Sequence, residues 1–148
     1  MRPTIEPAPA PAWRVTATAD SHFAWLRTKF AMDRTFMAWL RTAIAMIGFG
    51  FTIVTFFASF SRMEGVAPAA SPRSPVILGL TLVGTGTVSL AIALGQYIGG
   101  LHHLEGPEFS AIAERRKHLN AALWLGGAVL MMGIVAFIAI IYRTILEG

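Results

Sequence analysis

The sequence predicts an all-α fold, a polytopic membrane protein of three transmembrane helices with a preceding amphipathic interfacial helix. Three observations predict it. Of the 148 residues, 55% are hydrophobic and only 14% charged, and the mean hydropathy is +0.60. A soluble globular chain carries roughly 25% charged residues, so this one lacks the polar surface to cover itself in water. The apolar excess is gathered into three runs of about 20 residues, which at roughly 1.5 Å per residue matches a hydrocarbon core about 30 Å thick. Backbone groups in lipid must be satisfied within their own segment, so runs of this length are helices. With no cysteine in the chain, a disulfide framework and a thiolate metal site are both excluded.

Residues 1–20 read as a disordered cytoplasmic tail, with Pro3, Pro7, Pro9 and Pro11 among alanines. Proline removes a backbone donor and favours an extended chain. The stretch has no apolar run of the signal-peptide kind. From Ser21, a candidate N-cap, the pattern turns helical: Phe23, Leu26 and Phe30 form one stripe, with His22, Arg27 and Lys29 off it. Such a segment suits the headgroup layer. The membrane domain, residues 21–148, then holds spans at about 38–60, 76–98 and 121–142, and Arg41 near one end is the single formal charge within them.

Two connectors separate the spans. Ser61–Pro75 is rich in proline and small residues and reads as a hairpin loop. Gly99–Asn120 is longer and more charged. In it Gly106-Pro107 offers a helix start, followed by Phe109, Ile112 and Ala113 against Glu114, Arg115, Arg116 and Lys117. A short amphipathic helix is the expectation there. Nine Lys and Arg flank the spans on the side of the N-terminus and second connector, against three (Arg62, Arg73, Arg143) on the other. By the positive-inside rule the N-terminus is cytoplasmic and the C-terminus periplasmic.

AWLRTKFAM (24–32) and AWLRTAIAM (38–46) agree at seven of nine positions, offset by 14 residues. Fourteen residues are nearly four helical turns, so in a continuous helix the two Arg-Thr pairs share one side. Interfacial chemistry used twice accounts for the repeat equally well.

The most informative face belongs to the first span. Steps of three and four from Arg34 give Ala38, Arg41, Ala45, Gly48, Thr52, Thr55 and Ser59, basic, then small, then hydroxyl. Two readings fit. In one, small residues let helices approach and the arginines anchor the span at the interface. In the other, the stripe faces a polar cavity of an oligomer, with Arg34 and Arg41 as a basic ring at its mouth. Guanidinium suits that role because its planar fork binds phosphate bidentately and stays charged. On the second span Thr81, Thr85, Ser89 and Gln96 line up, and Ala91, Gly95 and Gly99 have the spacing of a helix-packing face.

Catalysis has little to stand on, and the chain is expected not to be an enzyme. His102, His103 and His118 lie near Glu105, Glu108 and Glu114 without an established ligand spacing, so no metal and no cofactor are expected. Asp33 reads as an N-cap or an arginine partner. The basic pI of about 10.4 points to membrane orientation and anionic lipids rather than nucleic acid.

Asp33 to Phe51 reads DRTFMAWLRTAIAMIGFGF and resembles the signature of the YidH-like family of small bacterial inner-membrane proteins, a domain of unknown function. That domain in turn is similar to the membrane part of the vacuolar transporter chaperone, a polyphosphate polymerase complex. The resemblance covers about residues 21–143. It implies a ring of membrane domains whose first spans line a basic path for polyphosphate, with Arg34 and Arg41 nearest its mouth. These 148 residues hold no polymerase domain and no phosphate-sensing helical domain like those of that complex, so they are not expected to make polyphosphate themselves. The function expected is an anion-binding platform or conduit, with polyphosphate the anion suggested, formed by a homo-oligomer in the inner membrane. The alternative is an accessory subunit that docks a partner membrane protein, the arginines only setting topology.

Overall fold

The computed structural model describes residues 15–60, 73–113 and 121–146. Three helices make up most of it: α1 (Ala19–Phe60), α2 (Arg73–Leu104) and α3 (Ala121–Leu146). All three are long and apolar enough to cross a membrane, and the chain is a multi-pass membrane protein. The outward side chains agree. Phe49 and Ile77 are each 64% exposed and Trp124 66%, a surface that only lipid or another apolar partner covers.

The segment expected to lie in the headgroups as a separate helix is instead the N-terminal part of α1. That helix runs unbroken for 42 residues, about 63 Å at 1.5 Å per residue, roughly twice what a bilayer core requires. It starts earlier than expected. Thr18, not Ser21, is the N-cap: the Ser21 backbone N–H donates to Thr18 Oγ1 (3.1 Å) and the Thr18 N–H to Ser21 Oγ (3.0 Å). This is a reciprocal capping box with serine at the third helical position. Residues 1–14 of the expected tail lie outside the described residues. Val15 is already tied to the domain, its N–H donating to the Glu108 carbonyl (3.3 Å).

α1 packs chiefly against α2, with α3 closing the bundle. The buried stripe of α1 is Phe36, Leu40, Ala43, Ile47, Gly50 and Val54. It meets Val83, Leu90, Ala93 and Tyr97 of α2 and Val129 and Ile140 of α3. Glycine sets the closest approach. A Cβ on Gly50 would lie 2.7 Å from the Gly79 carbonyl oxygen, and the reverse distance would be 2.6 Å. No side chain fits between the two backbones, which is how membrane helices gain contact where lipid is as apolar as the protein.

A second, smaller cluster forms where α1 outruns the bundle. Trp25, Leu104 and Ile112 are buried there, with Val15, Leu26 and Phe109 packed on them. Trp25 Nε1–H donates to the Leu104 carbonyl (2.9 Å), and His22 Nδ1 lies 3.1 Å from the Ile112 carbonyl. A carbonyl only accepts, so Nδ1 carries the proton of that bond. Lys29 Nζ lies 5.3 Å from the centroid of the Trp25 ring, within cation–π reach. The connector helix expected from Gly106-Pro107 is a single 3-10 turn, Pro107–Phe109, with proline at its start as anticipated. It stops because the Ile112 and Ala113 N–H groups both close on the Phe109 carbonyl, turning Ile112 back under Trp25. The rest of that connector and residues 61–72 lie outside the described residues.

Candidate functional site

The candidate face is the side of α1 that the bundle does not use. Arg34, Ala38, Arg41, Ala45, Gly48, Thr52 and Ser59 are all exposed, and Thr55 is half-buried. Each member from Arg34 to Thr52 precedes a buried residue by two positions: Arg34 and Phe36, Ala38 and Leu40, Arg41 and Ala43, Ala45 and Ile47, Gly48 and Gly50, Thr52 and Val54. Two residues turn a helix by about 200°, so the stripe points almost directly away from the core. A Cβ on Gly48 would meet nothing within 4 Å.

The unbroken helix extends this face further than the sequence reading took it. Ala24-Trp-Leu-Arg-Thr, Ala31-Met-Asp-Arg-Thr and Ala38-Trp-Leu-Arg-Thr repeat every seven residues. Arg27, Arg34 and Arg41 therefore form a ladder with rungs about 10 Å apart along the axis. Among the described residues none of the three has a carboxylate partner. The fourteen-residue repeat sets Arg27 on the side of Arg41 once the helix is continuous, and the period of seven brings it into one ladder with Arg34. The signal was the period of seven within the fourteen-residue repeat, hidden because the middle copy carries Met32-Asp33 where its neighbours carry Trp-Leu.

The hydroxyls of the face point their protons inward. Thr28, Thr35 and Thr42 donate to the carbonyls of Ala24, Ala31 and Ala38 (3.1, 2.9 and 3.1 Å). Thr52, Thr55 and Ser59 donate to Gly48, Phe51 and Thr55 (2.8, 3.0 and 2.9 Å). An oxygen whose proton is engaged in this way presents lone pairs to its surroundings. Contact with an anion on this face falls to the guanidinium groups.

Asp33 is not an N-cap, and among the described residues no arginine pairs with it. It lies mid-helix and accepts the Tyr97 O–H at 2.6 Å. The Tyr97 ring stacks on Phe36, centroids 4.6 Å apart. Gly126 of α3 is seated against Phe36, and α3 starts five residues earlier, so its first turn is level with Asp33 and turns its positive end toward that level. On the far side of the Phe36 and Tyr97 pair, a groove of about 290 Å³ between α1 and α2 is lined by Thr28, Met32, Thr35, Trp39, Gln96 and Tyr97, among others.

Ala91, Gly95 and Gly99 are exposed, and a Cβ on either glycine would meet nothing within 4 Å. Their face packs no other helix of this chain. The packing glycines are others, among them Gly50, Gly79, Gly86, Gly126 and Gly133. Thr81, Thr85 and Ser89 line a notch of about 480 Å³ between α2 and α3, with Gly84 and Phe137. His102, His103 and Glu105 are exposed, and the described residues hold no group of three or more side chains able to bind a metal. Glu114 and His118 lie outside them.

Three apolar helices around a core of large side chains with glycines at the closest approaches, and a basic ladder on the outer side of the first, define a multi-pass membrane protein. The chain belongs to the family described as a domain of unknown function (DUF202), whose family model matches residues 27–103, in keeping with the YidH-like resemblance. The match begins at the first rung of the ladder and ends with α2. No curated protein and no solved structure matches the chain.

Proposed function

We propose that the chain assembles as a homo-oligomer in the bacterial inner membrane, N-terminus in the cytoplasm and C-terminus in the periplasm. Its α1 arginines then gather into a cytoplasmic platform that binds a phosphate-bearing polyanion. The observation that carries this reading is the ladder itself: charged forks at a regular spacing, on the face turned away from the core, with no carboxylate among the described residues to neutralise them. An ionisable side chain near membrane depth is costly unless it has work to do, which gives Arg41 the greatest weight, with Arg34 beside it. The resemblance to the vacuolar transporter chaperone membrane domain supports polyphosphate as the polyanion. The inward-bonded hydroxyls of Thr52, Thr55 and Ser59 favour a platform at the basic end over a path of donors through the membrane. The reading assigns no catalytic step and no cofactor.

The test is equilibrium binding of fluorescent short-chain polyphosphate to the full chain in nanodiscs. Charge-assisted hydrogen bonds are worth about 1.5–3 kcal/mol each. Replacing Arg34 and Arg41 together with alanine is therefore expected to weaken binding at least about tenfold, with membrane insertion unchanged. Binding equal to that of the unsubstituted chain overturns the assignment. The empty Gly95 and Gly99 face favours the second reading, an accessory subunit docked on another membrane protein. That reading expects a specific protein to co-purify and Gly95→Leu to release it.

A further inference from the structure

The groove between α1 and α2 lies at a depth that the aromatic side chains fix. Trp124 and Tyr142 of α3 are 66% and 65% exposed, and their separation along the helix is about 27 Å at 1.5 Å per residue, close to the thickness of a hydrocarbon core. Tryptophan and tyrosine so placed mark the two membrane interfaces. Gly126, two residues on from Trp124, is seated against Phe36, and Phe36 walls the groove. Trp39, exposed three residues further along α1, stands at the same interface. The groove of about 290 Å³ therefore opens where headgroup meets acyl chain, at the end of the bundle that carries the arginines.

Its polar groups ask for acceptors. Tyr97 gives its proton to Asp33, and Thr28 and Thr35 give theirs to Ala24 and Ala31. Trp39 Nε1–H and the Gln96 carboxamide have no partner among the described residues. The contrast with Trp25, which holds the same place in the repeat, is direct: Trp25 is buried and bonded to the Leu104 carbonyl, whereas Trp39 keeps its donor for something outside the chain. Between these groups the wall is apolar, with Met32, Phe36 and Ala93. Each groove threonine follows a rung of the ladder, Arg27 and Arg34, about 100° around the helix. Helix side chains lean toward the N-terminus, so Arg34 leans toward the Thr28 end of the groove.

We propose that the groove holds one anionic phospholipid of the adjacent leaflet. Its phosphate lies at the Thr28 end beside Arg27 and Arg34, its ester carbonyls accept from Gln96 and Trp39, and its upper acyl chain covers Phe36 and Ala93. The occupant must bring acceptors, a negative charge and methylenes together, at interfacial depth. A free polyphosphate supplies the first two and leaves the apolar wall uncovered. A choline lipid supplies acceptors and methylenes but sets an ammonium beside the arginines, a like-charge contact. The site is beside the outward stripe rather than on it, and it requires neither the polyanion platform nor assembly.

The test is native mass spectrometry of the full chain released from nanodiscs of equal phosphatidylglycerol and phosphatidylcholine. The chain is expected to retain one phosphatidylglycerol in preference. Gln96→Leu removes donors and Ala31→Phe fills the groove. Both positions are exposed on the chain, so neither change disturbs its packing. Each is expected to lower the retained lipid about fivefold or more, with short-chain polyphosphate binding unchanged. No retained lipid, equal retention of the two lipids, or retention unaltered in both variants overturns the proposal. A chain that selects phosphatidylglycerol through Gln96 and Ala31 yet binds no polyphosphate supports this site and removes the platform.

Discussion

Two faces of one helix, separated by about 200°, divide the work of α1. The buried face interleaves large side chains with a glycine at the crossing: Phe36, Leu40, Ile47 and Val54 around Ala43 and Gly50. The opposite face has the same alternation of three and four residues and none of the bulk: Arg34, Ala38, Arg41, Ala45, Gly48 and Thr52. Small residues therefore mean different things on the two sides. Gly50 is small because Gly79 leaves it no room, whereas a Cβ on Gly48 would meet nothing. A helix that needed only a core would cover its outer side with the phenylalanine and isoleucine that lipid favours, as Phe49 and Ile44 do on the flanks. The bare stripe marks the side where something other than lipid belongs.

The sharpest way to break the comparison is to put the same side chain on both faces. Gly50→Leu drives a side chain into Gly79, Leu82 and Val83 and is expected to cost about 3 kcal/mol, measured by SDS-induced unfolding in mixed micelles. Gly48→Leu, two residues away, is expected to leave the stability of the single chain unchanged. Equal losses would mean that the two faces are not distinct.

Next in size is Trp25→Phe. It keeps an aromatic ring in the small cluster and removes the donor to Leu104, leaving a buried carbonyl unpaired at about 1–2 kcal/mol. Faster amide exchange over residues 104–113, with the three spans unaffected, is the expected readout. Tyr97→Phe removes the bond to Asp33 and keeps the stack on Phe36. Interhelical hydrogen bonds in membranes average about 0.6 kcal/mol, so the loss in SDS unfolding is expected to be near that. Thr52→Val is the smallest change. It removes a hydroxyl bonded only to its own helix, and single-chain stability is expected to hold within about 0.5 kcal/mol.

The three spans were legible because each is a run too apolar for water and too long for a loop. The continuity of α1 was not. His22, Arg27, Lys29 and Asp33 make the segment before the span look like a surface helix, yet His22 is engaged by the Ile112 carbonyl and Asp33 by Tyr97, residues far along the chain. The outward stripe was legible from Arg34 onward as a pattern of spacing. Arg27 joined that side only on condition of a continuous helix, and its period of seven with Arg34 was obscured by the copy in which Asp33 takes the place of Leu26 and Leu40, the position that meets Tyr97. The α2 glycines went the other way: Gly95 and Gly99 carry the recognisable motif and pack nothing in this chain, while Gly79 and Gly86, with no such signature, make the contact. Local spacing shows that a face is smooth, and only the third dimension shows which smooth face is already occupied.

The central claim is that the outer face of α1 gathers arginines from several copies around a polyanion. Native mass spectra of the protein released from nanodiscs, with and without short-chain polyphosphate, test it most directly. The account predicts an oligomer of defined number that retains the polyanion and loses it, while keeping its number, when Arg34 and Arg41 are both alanine. A monomer, or an oligomer that holds polyphosphate equally well without the two arginines, would contradict it.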